Sequence, residues 1–347
     1  MKRVYLDHNA TTALRPEART AMSAAMDVVG NPSSVHAEGR AAKHLVEQAR
    51  EQLAIALGAE DADIVFTSSA TEAAALAFAG RHLHGADIEH DAVAAWITPD
   101  LKVTGAGQVA PADPANSVLQ LANSETGILQ SIPHGLALCD MTQGFGKIPV
   151  RFDDFGVDMA ILSAHKLGGP KGVGALVLRR GLDVTTQIKG GGQEMGRRSG
   201  TENVTGIAGF GAAASAAIAD VTAGKWEKTA QFRNILESAL EASVNKTIFV
   251  GKGAKRLPNT SCFAATGWKG ETQVMQMDLS GFAVSAGSAC SSGKVRASRV
   301  LRAMGYDDGI SSCAIRVSLG LETTQDDVLR FAETWMDKRQ RHQRRVA

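Results

Sequence analysis

The stretch SAHKLGGPKG, residues 163–172, sets a histidine beside a lysine and follows them at once with glycines and a proline. The apolar run MAILS (159–163) before it reads as a buried strand. Lys166 therefore falls at the carboxyl end of a strand, where open α/β sheets hold their ligands. A lysine there can condense with a carbonyl, and pyridoxal phosphate is the cofactor that most often asks for one. Such a cofactor also needs an acid for its pyridine nitrogen, a partner for its phenolic oxygen, donors for its phosphate and a group to stack on its ring. LALCDMTQ puts Asp140 at another strand end with Gln143 just beyond, suited to the ring nitrogen and the phenolic oxygen. DIVFTSSATEAAALAF passes from strand to helix at Ala70 and Thr71, where a hydroxyl and the free amides of a helix start can hold phosphate. Ser163 and His165 add side-chain donors, and His90, in DIEHDAV, is placed to lie flat on the ring. Taken singly, each residue has a plainer account: a solvated turn lysine, a strand-end cap, a capping box in SSATEA, satisfied histidines. Their joint supply of every contact of one cofactor, in a workable chain order, selects the chemical reading.

The elements that must position these residues follow from periodicity. DIVFT (63–67), SVLQLA (117–122), LALCD (136–140), MAILS and GALVLR (174–179) read as buried strands, alternating with helices over 16–29, 38–57, 71–79 and 203–220. This pattern predicts an α/β fold with a mostly parallel sheet covered by helices. The C-terminal third alternates differently: helices near 226–242, 270–279, 295–304 and 324–343 are interleaved with short strands TSCFAA, AVSAG and AIRVSL. It predicts a smaller α+β domain of residues 1–15 and about 225–347, against a large domain of about 16–224. At 347 residues with 44% hydrophobic content the chain can bury two cores. A net charge of +1 offers no overall field for nucleic acid, and no apolar signal core or run approaching a membrane span is read, so a cytoplasmic protein is expected. The four cysteines, Cys139, Cys262, Cys290 and Cys313, lack CxxC spacing and the density of a disulfide scaffold, so reduced thiols and no metal site are expected.

YLDHNATT, GNPSSVHAEGR, SSATEA, ANSETG, CDMTQGFGKIPV, SAHKLGGPKGVGAL, GGGQEMGRRSGT, SAGSACSSG and AIRVSLG occur in an order that resembles the cysteine desulfurases of the NifS/IscS type. The resemblance runs from Val4 to about Thr324. It implies a class V aminotransferase-like fold, that is, the PLP-dependent transferase fold (aminotransferase fold type I), in a homodimer. The implied activity is conversion of L-cysteine to L-alanine, with sulfur left as a persulfide for an acceptor or scaffold protein. On that basis Lys166 carries the cofactor, His90 stacks on the ring and carries protons, and Asp140 and Gln143 hold the pyridine nitrogen and phenolic oxygen. Thr71, with Ala70, and Ser163 and His165 hold the phosphate, Thr201 reaches the neighbouring subunit's phosphate, and Arg316 grips the substrate carboxylate. Cys290 is the sulfur-accepting nucleophile. Small flexible residues surround it and Lys294 and Arg296 follow it, both suited to a mobile thiolate. Cys139, Cys262 and Cys313 have apolar neighbours and are expected to pack as small hydrophobes.

The chain also departs from the family pattern. Asn123-Ser124-Glu125 puts a hydroxyl where an amide is usual beside the cofactor and substrate carboxylate, and Ala75 and Gln193 replace an asparagine and a histidine. GILQSIPHGLALCD scarcely accommodates a crossover helix, so the large domain looks trimmed near 91–135. The strands there are expected to be short of cover, leaving an apolar patch for a partner. Two other readings stay open: another enzyme of this cofactor and fold, such as a selenocysteine lyase, and a weakly active assembly protein.

Overall fold

The computed structural model describes residues 3–243, 247–287 and 297–346. A short strand β1 (Val4–Tyr5) precedes helices α1 (Pro16–Met26) and α2 (Ala37–Leu57). Pro16 fits the first turn of α1, where an amide has no partner to lose, and Gly58 closes α2 in the left-handed conformation. Then follow β2 (Ala62–Thr67), α3 (Ala70–Phe78), β3 (Gly85–Ala86), the one-turn α4 (Asp91–Ala94), β4 (Pro99–Leu101) and β5 (Val118–Gln120). Next come β6 (Leu138–Asp140), the short α5 (Phe152–Phe155), β7 (Met159–Ser163), β8 (Gly174–Arg179) and the long α6 (Val204–Thr222).

Strands β5, β6 and β7 run parallel, and β8 lies antiparallel between β7 and β2. A parallel bridge between His84 and Ser117 sets the β3–β4 pair beside β5, so the large sheet reads β2-β8-β7-β6-β5-β3-β4. The sheet is thus mixed, with a parallel centre. Alternate side chains divide between its faces as strand geometry requires. Ile64, Phe66, Cys139, Ala160 and Val177 pack with α2 and α6, whereas Val65, Leu138, Ile161 and Leu176 pack with α3.

Helix α6 is long and apolar enough to cross a membrane by length and composition, an apolar run that the sequence reading did not register. It is a core helix, wedged against α1 and α2. Its glycines explain how it fits: a Cβ on Gly211 would stand 2.7 Å from Ala49 Cα, and one on Gly209 would stand 2.6 Å from Met22 Cγ.

The remainder comprises α7 (Lys225–Ser243), β9 (Thr247–Phe249), β10 (Thr260–Ala265), α8 (Gly270–Leu279), β11 (Phe282–Ala283) and β12 (Ser285–Ala286). The chain ends with α9 (Arg299–Ala303), α10 (Asp308–Ser311), β13 (Ala314–Ser318) and α11 (Gln325–Val346). An antiparallel sheet of order β12-β13-β10-β9 packs its apolar face on Trp268, Phe331 and Trp335. The N-terminal β1 pairs in parallel with β11.

The expected shortage of cover near 91–135 is overturned. No helix lies between β5 and β6, and α4 is a single turn, yet Val118, Leu119, Leu138 and Cys139 are fully buried. The chain's own loops do the covering. Ile128 sits against Gly107 and Gly251, while Gln130 ties two loops by accepting from the Val109 amide and donating to the Gly107 carbonyl. Among the described residues of that region, Trp96 is the one exposed large hydrophobic side chain, and it stacks on Phe78. A polar staple thus substitutes for a helix, because it lets irregular backbone lie on the sheet with its hydrogen bonds satisfied.

Gly211→Val should lower stability by about 1–3 kcal/mol, as overpacking of a close helix contact usually does. Denaturant unfolding of the two proteins checks this; an unchanged midpoint would show that α2 and α6 can separate freely.

Candidate active site

The parallel strands end on one side of the sheet, and a cavity of about 260 Å³ opens there. Five elements contribute to its lining. The start of α3 gives Ser69, Ala70 and Thr71; the start of α4 gives His90 and Ala92. The end of β6 gives Asp140, Thr142 and Gln143, and the end of β7 gives Ser163, His165 and Lys166. Gln120, the last residue of β5, and Ala122 and Ser124 just beyond it close the remaining wall.

Local chemistry fixes each group. Ser69 caps α3 by accepting from the Glu72 amide, so the helix begins at the cavity with its first amides turned toward it. The helix start approaches the sheet so closely that a Cβ on Gly174 would lie 2.5 Å from the Ser69 carbonyl carbon. Asp140 is held by the Thr142 amide, 2.9 Å from its Oδ1. His90 Nδ1 accepts from the Ala92 amide at 3.1 Å. Burial pushes the His90 imidazole below the usual histidine range, with Asp140 opposing the shift. His165 bonds Thr11 Oγ1 at 3.2 Å and is pushed down to about 4, first by burial and then by Lys166 and other lysines. It is therefore neutral at pH 7.

Lys166 Nζ donates to the carbonyls of Asn9 (2.8 Å) and Ala10 (2.9 Å). Gln143 Nε2 donates to the same Asn9 carbonyl at 2.9 Å. Asn9 in turn spans the molecule: its amide donates to Ser318 Oγ, and its Nδ2 donates to Thr260 Oγ1. Behind Gln143 stands Lys147, 2% exposed, whose Nζ donates to Gln143 Oε1 at 2.7 Å and Asn9 Oδ1 at 3.3 Å.

Arg316 lies one layer back on β13, 3% exposed. It donates to the Ser124 carbonyl at 2.9 Å and to Asp7 Oδ1 at 2.8 Å, while its Nε is buried without a partner. An orphaned guanidinium donor directly behind a cavity residue suits a carboxylate ligand.

Two further residues of interest, Asn123 and Thr201, do not line this cavity. Asn123 is buried in the turn that carries Ser124; its Oδ1 accepts from Glu125 and Thr126 and its Nδ2 donates to the Ile88 carbonyl. Thr201 is exposed and outside the lining, close in sequence to Arg198, which pairs with Glu72 on α3. Cys290, with Lys294 and Arg296, lies outside the described residues. The described flanks of that segment do reach the site: Ser285 donates to Asp7 Oδ2 at 2.8 Å, and Ser298 donates to Glu125 Oε2 at 2.6 Å. Cys139, Cys262 and Cys313 are buried, and burial pushes the Cys139 and Cys262 thiols up, away from nucleophilic use.

Sequence reasoning gave no role to Ser69, Ala92, Gln120, Ala122 and Thr142 of the lining, nor to Asn9, Asp7 and Lys147. YLDHNATT and GFGKIPV held the last three in plain view, but their function lies in polar contacts between distant segments.

The donor set fits pyridoxal 5'-phosphate. Free amides, two hydroxyls and a neutral imidazole suit a phosphate, a held carboxylate suits a pyridinium, an amide donor suits a phenolate, and a primary amine suits an aldehyde.

Comparison with known proteins agrees. The family described as Aminotransferase class-V matches residues 4–95 and 117–331. The gap between the two matched segments falls in the trimmed region. The chain is 36% identical to a cysteine desulfurase IscS of Dictyoglomus turgidum over 365 residues, 94% of this chain and 92% of that protein. It is 38% identical to a cysteine desulfurase of Cereibacter sphaeroides over 370 residues, 96% of this chain and 95% of that protein. A crystal structure of a NifS-like protein from Rickettsia africae superposes with a TM-score of 0.88 at 32% identity, covering 96% of this chain and 99% of that one.

Glu125 gives the site a pH signature, since burial raises its carboxyl to about 7 against the Ser298 hydrogen bond and nearby arginines. Its folded value lies above the unfolded one, so this contribution to stability is complete at low pH and is lost as pH rises from about 4.5 to about 7. Glu125→Gln should flatten the decline by up to about tenfold in folding equilibrium per pH unit. Urea unfolding across pH 4–8 checks this; parallel wild-type and variant curves would contradict it.

Proposed function

Because this chain belongs to the class-V aminotransferase family, among its cysteine desulfurases, we propose that it converts L-cysteine to L-alanine and leaves the sulfur as a persulfide on Cys290. The persulfide is then passed to an acceptor protein in iron–sulfur cluster or thio-cofactor assembly. The observation that carries this reading is the convergence of Lys166, Asp140, Gln143, His90 and Thr71 on one cavity, with the unpartnered Arg316 Nε behind Ser124.

Pyridoxal 5'-phosphate, when bound, supplies an electron sink for bonds broken next to the substrate nitrogen. The phosphate is assigned to the α3 amides with Thr71, Ser163 and His165, the ring nitrogen to Asp140 and the phenolic oxygen to Gln143. Lys166 is the covalent attachment point.

The protein's own groups then divide the remaining work. Arg316 binds the substrate carboxylate through its free Nε edge while Asp7 and the Ser124 carbonyl hold the rest of the guanidinium still. His90, whose Nδ1 accepts from the Ala92 amide, is assigned the proton-carrying role. Lys166 Nζ, once free, moves a proton at the substrate α-carbon. The Cys290 thiolate attacks the substrate sulfur; the carbon–sulfur bond breaks, a sulfur–sulfur bond forms, and the carbon framework takes up protons to leave as alanine. The stoichiometry balances without an external oxidant, since cysteine plus a protein thiol gives alanine plus a protein persulfide.

Two further parts of the reading concern assembly. A homodimer is supported by Thr201, exposed and away from its own cavity, and by exposed Met195, Val29 and Val35 on nearby loops. Glu194 and Met195 hold positive φ, and Glu194 is locked by Arg50 and the Phe66 amide, which props the Met195 loop outward. A cytoplasmic setting is supported by the unpaired thiols of Cys139, Cys262 and Cys313.

The test is release of alanine and sulfide from L-cysteine in the presence of a thiol reductant. Wild type should turn over and Cys290→Ser should lose at least about a hundredfold, because an alcohol is a far poorer nucleophile than a thiolate. Cys262→Ala should retain turnover. Undiminished sulfide release by Cys290→Ser would overturn the assignment.

A further inference from the structure

Beside the lysine assigned to the cofactor stands a second one. Lys147 is 2% exposed and, among the described residues, has no carboxylate partner in its hydrogen bonds; its Nζ there meets the amide oxygens of Gln143 and Asn9. A buried ammonium without a counter-ion is expensive and is seldom kept for packing alone. Its contacts are also directional. An ammonium has donors and no acceptor, so Gln143 must turn Oε1 toward Lys147 and Nε2 toward Asn9 and the cavity. Asn9 links the two amines, with Lys147 on its side-chain oxygen and Lys166 on its carbonyl.

We propose that Lys147 is a positioning residue for this active site: it fixes the donor face of Gln143 toward the cavity and, through its position beside Asn9, disfavours a positive charge on Lys166 Nζ. The proposal rests on the reading of Lys166 as the cofactor lysine. Two buried amines on one linking residue titrate as a pair and carry two protons less readily than two separate lysines. Burial first, then Lys166 and Arg316, push the Lys147 amine well below the usual lysine range. The other groups facing the pair are His8 and His165, both held below the usual histidine range, with Asp140 and His90 across the cavity. Glu322 raises His8 from behind, while Asp7 is taken by Arg316. In the adjoining outer cavity, Arg15 and Lys225 both pair with Asp220, so these charges offset one another.

The experiment is a pH titration of the visible absorbance of the protein loaded with pyridoxal 5'-phosphate, for wild type, Lys147→Met and Lys147→Gln, with thermal unfolding of each. Loss of the neighbouring amine should let the nitrogen of Lys166 keep its proton to higher pH. The titration midpoint should rise by about one unit or more in both variants, a tenfold or larger change in proton affinity. The Gln variant retains a donor toward Gln143 and should bind the cofactor more tightly than the Met variant. Unfolding temperatures should stay near wild type for the Gln variant, which keeps a donor toward Gln143, and fall for the Met variant, which leaves the buried Gln143 Oε1 without one. A structural lysine would instead give lower unfolding temperatures in both variants with an unmoved midpoint, and that result would overturn the proposal. A wild type that takes up no cofactor would overturn the reading of Lys166 itself, which separates the two failures.

Discussion

The carbonyl oxygen of Asn9 receives hydrogen bonds from Lys166 and Gln143, and the same residue's side chain meets Lys147, Thr260 and Asn259. These partners come from the ends of β6 and β7 and from β10, so one asparagine joins the large sheet to the smaller antiparallel one. The join is polar and buried, with Asn9, Lys147, Gln143, Asn259 and Thr260 all close to fully covered. In such surroundings each hydrogen bond is stronger than at the surface, and each missing one costs about 1–3 kcal/mol. Geometry is therefore held tightly where the chemistry requires it. The Asp7–Arg316 pair two residues earlier extends the same clamp to the group assigned to the substrate carboxylate.

Around this knot the rest of the fold acts as a frame. The parallel centre of the sheet delivers Asp140, Ser163 and Lys166 to one edge. α3 presses its start onto that edge because residue 174 has no side chain. α6 can press against α1 and α2 for the same reason. Glycine is thus used for close approach at the two places where a helix must sit nearer the sheet or its neighbours than a Cβ allows. Where helices have been lost between β5 and β6, Gln130 and Ile128 hold loops onto the strands, so the edge of the site keeps its cover without the usual crossover.

Much of this was legible in the sequence for identifiable reasons. MAILS and GALVLR are continuous apolar runs bounded by turn residues, and both strands match their observed limits. Gly270–Leu279 and TSCFAA were equally plain. β3 and β4 escaped notice because two or three residues carry no period, and Pro99 and Asp100 are exposed. One-turn helices such as α4 and α5 escape for the same reason. The cover over β5 and β6 was misjudged because loops were weighed by composition, whereas their seal depends on one glutamine reaching a backbone carbonyl and amide far along the chain. In the cavity, strand ends announced Asp140 and Lys166, and the helix start announced Thr71. Asn9, Asp7 and Lys147 gave no local signal of their contacts, since each acts across segments that only the fold brings together. Asn123 shows the converse: its motif suggested a ligand contact, yet its Oδ1 is spent within its own turn and its Nδ2 on the Ile88 carbonyl.

The account stands on Lys166, rather than its buried neighbour Lys147, being the amine that bonds covalently to the cofactor. The direct measurement is borohydride reduction of the protein loaded with pyridoxal 5'-phosphate, followed by proteolysis and mass mapping of the modified peptide. The reduced pyridoxyl group should be found on the peptide containing Lys166 and be absent from Lys166→Ala. Finding it on Lys147 or on a surface lysine, with Lys166 unmodified, would contradict the account.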